Sequence, residues 1–187
     1  MRILVTGGTG YIGATAVEVL LGQGFEVSIL DDCSMGHADT VPAGVRFVEG
    51  SLLNVAQVAD ALTGCDAVMH FAGKSLVGES VEKPDLYQSV NVDGTRILLD
   101  QMRNQSITKI VFSSSAATYG EPKVVPILET AETSPTNPYG ATKLAIDHMI
   151  TEEAAKHGIS AASLRYFNVA GALKAERGWL AERHNPE

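Results

Sequence analysis

The junction between Arg2-Ile-Leu-Val-Thr6 and Gly7-Gly-Thr-Gly-Tyr-Ile-Gly13 constrains this chain more than any other stretch. A short apolar, β-branched run reads as a buried strand, and apolar positions at Ile12, Ala16, Val19 and Leu20 read as a helix over residues 11–23. A strand that turns through glycines directly into a helix is the opening of a β-α-β unit, and such a unit demands a parallel partner strand.

The alternation continues to the far end. Residues 26–30, 45–48, 66–71, 108–113 and 159–166 read as strands, and residues 55–62, 85–104 and 138–157 as helices. Each crossover must return to the same sheet, so the expected fold is α/β: a Rossmann-like, doubly wound parallel sheet with helices on both faces. Residues 121–137, rich in Pro and Thr, read as a surface loop beside the site. Residues 1–171 form the expected dinucleotide-binding domain. Residues 172–187 are polar, offer no convincing strand or core helix, and read as the cut-short start of a further region.

Composition excludes several classes. The 187 residues carry a net charge of −8, which argues against nucleic acid or an anionic membrane surface as partner. No apolar run approaches the roughly 20 residues needed to cross a bilayer, and no signal peptide precedes the first strand, so a cytoplasmic protein is expected. Cys33 and Cys65 lack metal-ligand spacing and read as reduced structural thiols; no metal site is expected.

The pattern Gly8-x-Gly10-x-x-Gly13 sits where a dinucleotide fingerprint must sit, after a strand and at a helix start. Missing side chains let backbone approach a pyrophosphate, whose charge the helix N-terminus favours. Asp31 follows Gly13 by 18 residues and ends the second strand, where a carboxylate accepts ribose hydroxyls and repels a 2′-phosphate. Asp32 adds a second negative charge with no Arg nearby, so NAD is expected rather than NADP. Phe71, Ala72 and Gly73 close the fourth strand with room for a ligand. Asn91 reads either as a bridge near the cofactor or as an ordinary helix-face residue.

Tyr139-Gly-Ala-Thr-Lys143 places a phenol and an ammonium one helical turn apart. The lysine, the nicotinamide ring and the helix N-terminus, opened by Pro138, all favour a phenolate base. Ser113, Ser114 and Ser115 sit at the carboxyl end of a parallel strand, where such sheets bind ligands, and one hydroxyl can share the reacting proton. Together these residues predict hydride chemistry at a carbinol carbon. His70 reads as a packed, hydrogen-bonded histidine, His148 and His157 as solvated, and Met102 and Met149 as packing residues.

These stretches, with His70–Ser80, Asn91–Thr95, Phe112–Gly120 and Leu164–Gly171, resemble the extended short-chain dehydrogenase/reductase superfamily and, within it, the UDP-glucose 4-epimerases. The resemblance covers nearly the whole chain. It implies tightly held NAD, a UDP-hexose substrate and a homodimer paired through residues 85–104 and 138–157. It also implies Ser115, Tyr139 and Lys143 as the catalytic set. Cofactor contacts are implied for Gly7, Gly10, Tyr11, Ile12, Gly13, Asp31, Asp32, Ser51, Leu52, Phe71, Ala72, Gly73, Ser75, Asn91, Ser113, Tyr139, Lys143, Tyr166 and Phe167, and substrate contacts for Lys74, Ser115, Tyr139 and Asn168. Related dehydratases and decarboxylases carry acids just after the catalytic Ser or Thr; here Ala116 and Ala117 stand there, which favours simple redox at C4. Three departures stand out: Ser51 replaces a usual adenine-contacting Asp, Lys74 lies one position early, and most of the region that grips the UDP group is missing. The alternatives implied are an epimerase of another nucleotide sugar, such as a UDP-N-acetylhexosamine, and an NAD-binding module without turnover.

Overall fold

The computed structural model describes residues 1–175 and 178–179. Six parallel strands form one sheet in the order β3-β2-β1-β4-β5-β6: β1 (Arg2–Thr6), β2 (Glu26–Asp31), β3 (Arg46–Glu49), β4 (Ala67–His70), β5 (Lys109–Ser115) and β6 (Ser160–Tyr166). Helices α1 (Tyr11–Gly22), α2 (Val55–Leu62) and α6 (Pro138–His157) lie between them, as expected from the apolar spacing. The chain winds outward from β1 to β2 and β3 on one side, then to β4, β5 and β6 on the other. The order therefore reverses between β1 and β4, and a crevice opens at their carboxyl ends.

Strand alternation distributes the core to both faces. Leu4 packs with Leu62, Leu98, Met102, Phe112, Ile146 and Ile150 on one side, while Ile3 and Val5 join Val17, Val27 and Ile29 on the other. Each such side chain contributes about 1.5–3 kcal/mol by leaving water. No helix among the described residues is long and apolar enough to cross a membrane.

Three elements differ from the sequence expectation. The single helix over residues 85–104 is instead α4 (Pro84–Tyr87), a π-helical stretch at Gln88–Asp93 and α5 (Gly94–Asn104). The widened turn surrounds Asn91, whose carbonyl takes the Thr95 hydroxyl at 2.6 Å. A short helix, α3 (Val77–Glu82), precedes it; its apolar residues Val77 and Val81 are exposed, so no amphipathic period announces it. The tail contains two paired strands, β7 (Lys174–Ala175) and β8 (Gly178–Trp179), where no sheet was expected, because two-residue strands carry no alternating pattern. Most of residues 172–187 lies outside the described residues.

Candidate active site

The crevice has a volume of about 730 Å³. Its floor is the glycine turn. Gly7 adopts φ +71°, and a Cβ there would meet the Ala72 nitrogen at 2.6 Å, so the turn packs directly on the segment after β4. A Cβ on Gly13 would lie 2.0 Å from the Gly7 carbonyl oxygen. Gly10 is different: its Cβ would touch only that same oxygen, at an ordinary 3.5 Å. The fold demands glycine at positions 7 and 13, while at position 10 the missing side chain leaves open space facing the crevice.

Asp31, at the end of β2, accepts the Thr9 amide on one carboxylate oxygen and the Cys33 amide on the other, both at 2.9 Å. It ties the glycine turn to the second strand and retains lone pairs for a further donor. Cys33 and Cys65 are unpaired, and burial pushes both thiols up.

On the opposite wall, Asn137 caps α6 by accepting the Gly140 amide at 2.8 Å, with Pro138 in the first turn. The buried Ser80 hydroxyl accepts the Tyr139 amide at 3.2 Å and donates to the Val77 carbonyl at 2.6 Å, so α3 fixes where the tyrosine begins. Ser80 ends the family-like stretch His70–Ser80, but nothing in the sequence assigns it this role. Lys143 donates to the Ser113 carbonyl at 2.9 Å and lies over the Phe112 ring, 4.8 Å from its centre. Burial draws its ammonium down to about 8, and the Asp147 carboxylate opposes that fall. Burial also pushes the Tyr139 phenol up, with its hydrogen-bond partner Ser115 acting the other way. The Lys143 ammonium also lies over the Tyr139 ring, 5.8 Å from its centre.

Gly7, Gly10, Tyr11, Ile12, Gly13, Asp31, Asp32, Ser51, Leu52, Phe71, Ala72, Gly73, Ser75, Ser113, Tyr139 and Lys143, all expected near the cofactor, line the crevice, as does Lys74. Met35, Leu76 and Glu79 also line it without having been singled out. Asn91, Ser115, Tyr166, Phe167 and Asn168 are not in its wall. Asn91 is buried and committed elsewhere: its carbonyl oxygen accepts the Lys74 amide at 2.7 Å, and its amide donates to the Lys74 carbonyl and to the Thr142 hydroxyl. It holds the segment after β4 against α6. The Ser115 hydroxyl accepts the Ala117 amide at 3.1 Å while also facing Tyr139, and Phe167 is 65% exposed past the end of β6.

His70 is packed and hydrogen-bonded. Since Thr95 donates to Asn91, Nε2 of His70 donates to Thr95 at 2.9 Å and Nδ1 accepts from Thr6 at 2.7 Å. Burial pulls its pKa down to about 3, with Lys143 adding to the effect. The loop over residues 121–137 borders a separate hollow of about 440 Å³, lined by Tyr119, Val124, Pro126 and Leu128 among others, and not the crevice. No cluster of three or more His, Cys, Asp or Glu able to hold a metal occurs among the described residues.

Similarity to known proteins agrees with this geometry. The chain is 54% identical over 172 residues to a UDP-glucose 4-epimerase of Corynebacterium glutamicum, covering 92% of this chain and 52% of that protein. It is 51% identical over 179 residues to one of Streptomyces lividans, covering 94% and 54%. A crystal structure of UDP-glucose 4-epimerase from Brucella ovis in complex with NAD superposes with a TM-score of 0.87 at 43% identity, covering 89% of this chain and 52% of that one. The chain thus spans about half the length of the curated relatives it matches. Residues 3–183 match the NAD dependent epimerase/dehydratase family. With a glycine turn, a strand-end carboxylate and a Tyr-x-x-x-Lys helix gathered on one crevice, and that match running through nearly the whole sequence, this chain belongs to the NAD dependent epimerase/dehydratase family.

Proposed function

We propose that the chain is the dinucleotide-holding part of a UDP-glucose 4-epimerase, with residues 1–171 binding NAD and residues 172–187 beginning the region that binds the sugar nucleotide. One observation carries this reading: Tyr139 and Lys143 stand on the same crevice as Asp31 and the open face of Gly10. The space at Gly10 fits a pyrophosphate, and Asp31 fits a ribose diol.

NAD, when bound, would supply a reversible hydride acceptor for C4 of the sugar and the positive charge of its oxidised ring. Tyr139 takes the proton of the 4-hydroxyl, and Ser115, its hydrogen-bond partner, shares it. Burial holds the free phenol up, so the base is armed by positive charge brought next to it. Lys143, whose Nζ lies 5.8 Å from the centre of the Tyr139 ring, would donate to the nicotinamide ribose. Ala116 and Ala117 offer no acid, so elimination of water or loss of carbon dioxide has no proton carrier at this position. Two copies pair through the adjacent helices α5 and α6, which an Arg103–Glu153 ion pair of 2.6 Å already joins within one copy.

Conversion of UDP-galactose to UDP-glucose tests the reading. Turnover by the wild-type chain with NAD supports an epimerase. Tyr139→Phe should keep NAD and lose at least about a hundredfold in rate, the low end of what a general base contributes. An unchanged rate would remove Tyr139 as the base. NAD binding without turnover would instead identify a module that needs the remainder of its relatives' length.

A further inference from the structure

We propose that Asp147 is a positioning residue for Lys143: a buried carboxylate one helical turn further along α6 that keeps the lysine charged and held against the end of β5. The inference rests on the reading of Lys143 as the cation of the site.

Asp147 is 5% exposed and lies four residues after Lys143, on the same helix face. One of its oxygens accepts the Ser114 hydroxyl and the Arg165 Nε, each at 3.1 Å. Its other oxygen is buried with no hydrogen-bond partner among the described residues. A buried carboxylate that is only half engaged keeps an attraction for any cation near it. Arg165 forms the ion pair with this carboxylate, at 3.1 Å, and Lys143 is the next cation along the same helix face; the two α6 side chains grip one strand end, Lys143 through the Ser113 carbonyl and Asp147 through the adjacent Ser114 hydroxyl.

Arg165 competes for the same carboxylate. It also donates to the Tyr119 hydroxyl at 3.0 Å and stacks over that ring, so β6 restrains how strongly Asp147 serves Lys143. The other groups beside Lys143 are Tyr139 on its own helix and His70 on β4, both neutral, and the charged residues Lys74, Glu79, Asp31 and Asp32 line the same crevice. Burial alone pulls Lys143 down, and Asp147 is the group that offsets it. The four-residue spacing was visible in the sequence, but the partnership with Ser114 and Arg165 spans three elements and was not.

The test is an NMR titration of the lysine side chains of the 187-residue chain, with the Lys143 signal assigned by its loss in Lys143→Arg. Asp147→Asn should lower the Lys143 midpoint by about one pH unit, the smaller end of what a neighbouring opposite charge supplies. Asp147→Glu should restore it, and Arg165→Gln, which frees the carboxylate, should raise it. An unchanged midpoint in Asp147→Asn, no restoration by Glu, or a fall in Arg165→Gln would each overturn the proposal. Should Asp147→Asn fail to fold, Arg165→Gln decides alone: a rise supports the proposal, and no rise overturns it. Neither NAD nor a sugar is present, so the outcome is independent of whether the crevice performs epimerisation.

Discussion

Lys143 Nζ lies 5.8 Å from the centre of the Tyr139 ring and 2.9 Å from the Ser113 carbonyl oxygen. The ammonium is therefore anchored to β5 and reaches the phenol only as a near neighbour. Both groups are buried in a direction that favours their neutral forms. The site is poised to be charged by what enters it.

The glycine turn separates two kinds of glycine by experiment. Gly13→Ala should destabilise the fold, because its Cβ would sit 2.0 Å from the Gly7 oxygen with backbone on both sides. Gly10→Ala has ordinary contacts and φ −79°, so it should change stability by no more than about 1 kcal/mol. It should nevertheless weaken NAD by at least about tenfold, equivalent to about 1.4 kcal/mol. Urea unfolding and calorimetric NAD titration read the two effects separately.

Acid should weaken the fold through His70. Its folded pKa of about 3 lies below its ordinary 6.5, so the unfolded chain takes up a proton in a range where the folded chain does not. The stability is complete above pH 6.5 and is lost as pH falls towards 3. The loss is about 1.4 kcal/mol per pH unit at most, or about 2 kcal/mol by pH 5. Unfolding free energies at pH 7 and pH 5 check this, and His70→Asn should show a shallower difference between them.

The helix that carries the tyrosine depends on its cap. Asn137→Ala leaves the Gly140 amide without its acceptor at 2.8 Å and should cost about 1 kcal/mol, read from the urea midpoint.

What the sequence made legible was local. Thr6–Gly13 and Tyr139–Lys143 each carry their chemistry within eight residues, and both lie on the crevice. Strand alternation was equally plain, because each strand buried on both faces is a short apolar run. What stayed hidden was non-local. Asn91 bridges the Lys74 backbone and Thr142, 17 and 51 residues away, so only the structure separates its two readings, and the π-helical turn around it breaks a helix whose apolar spacing reads as continuous. Ser80 reaches Tyr139 across 59 residues from a helix too short to show a period.

Calorimetric titration with NAD and with NADP tests most directly whether this crevice is a dinucleotide site. The account predicts one NAD per chain, NADP binding at least about tenfold weaker because Asp31 and Asp32 repel its extra phosphate, and a narrowed gap in Asp31→Ala. A chain that takes neither dinucleotide, or that takes both equally with Asp31 intact, would contradict it.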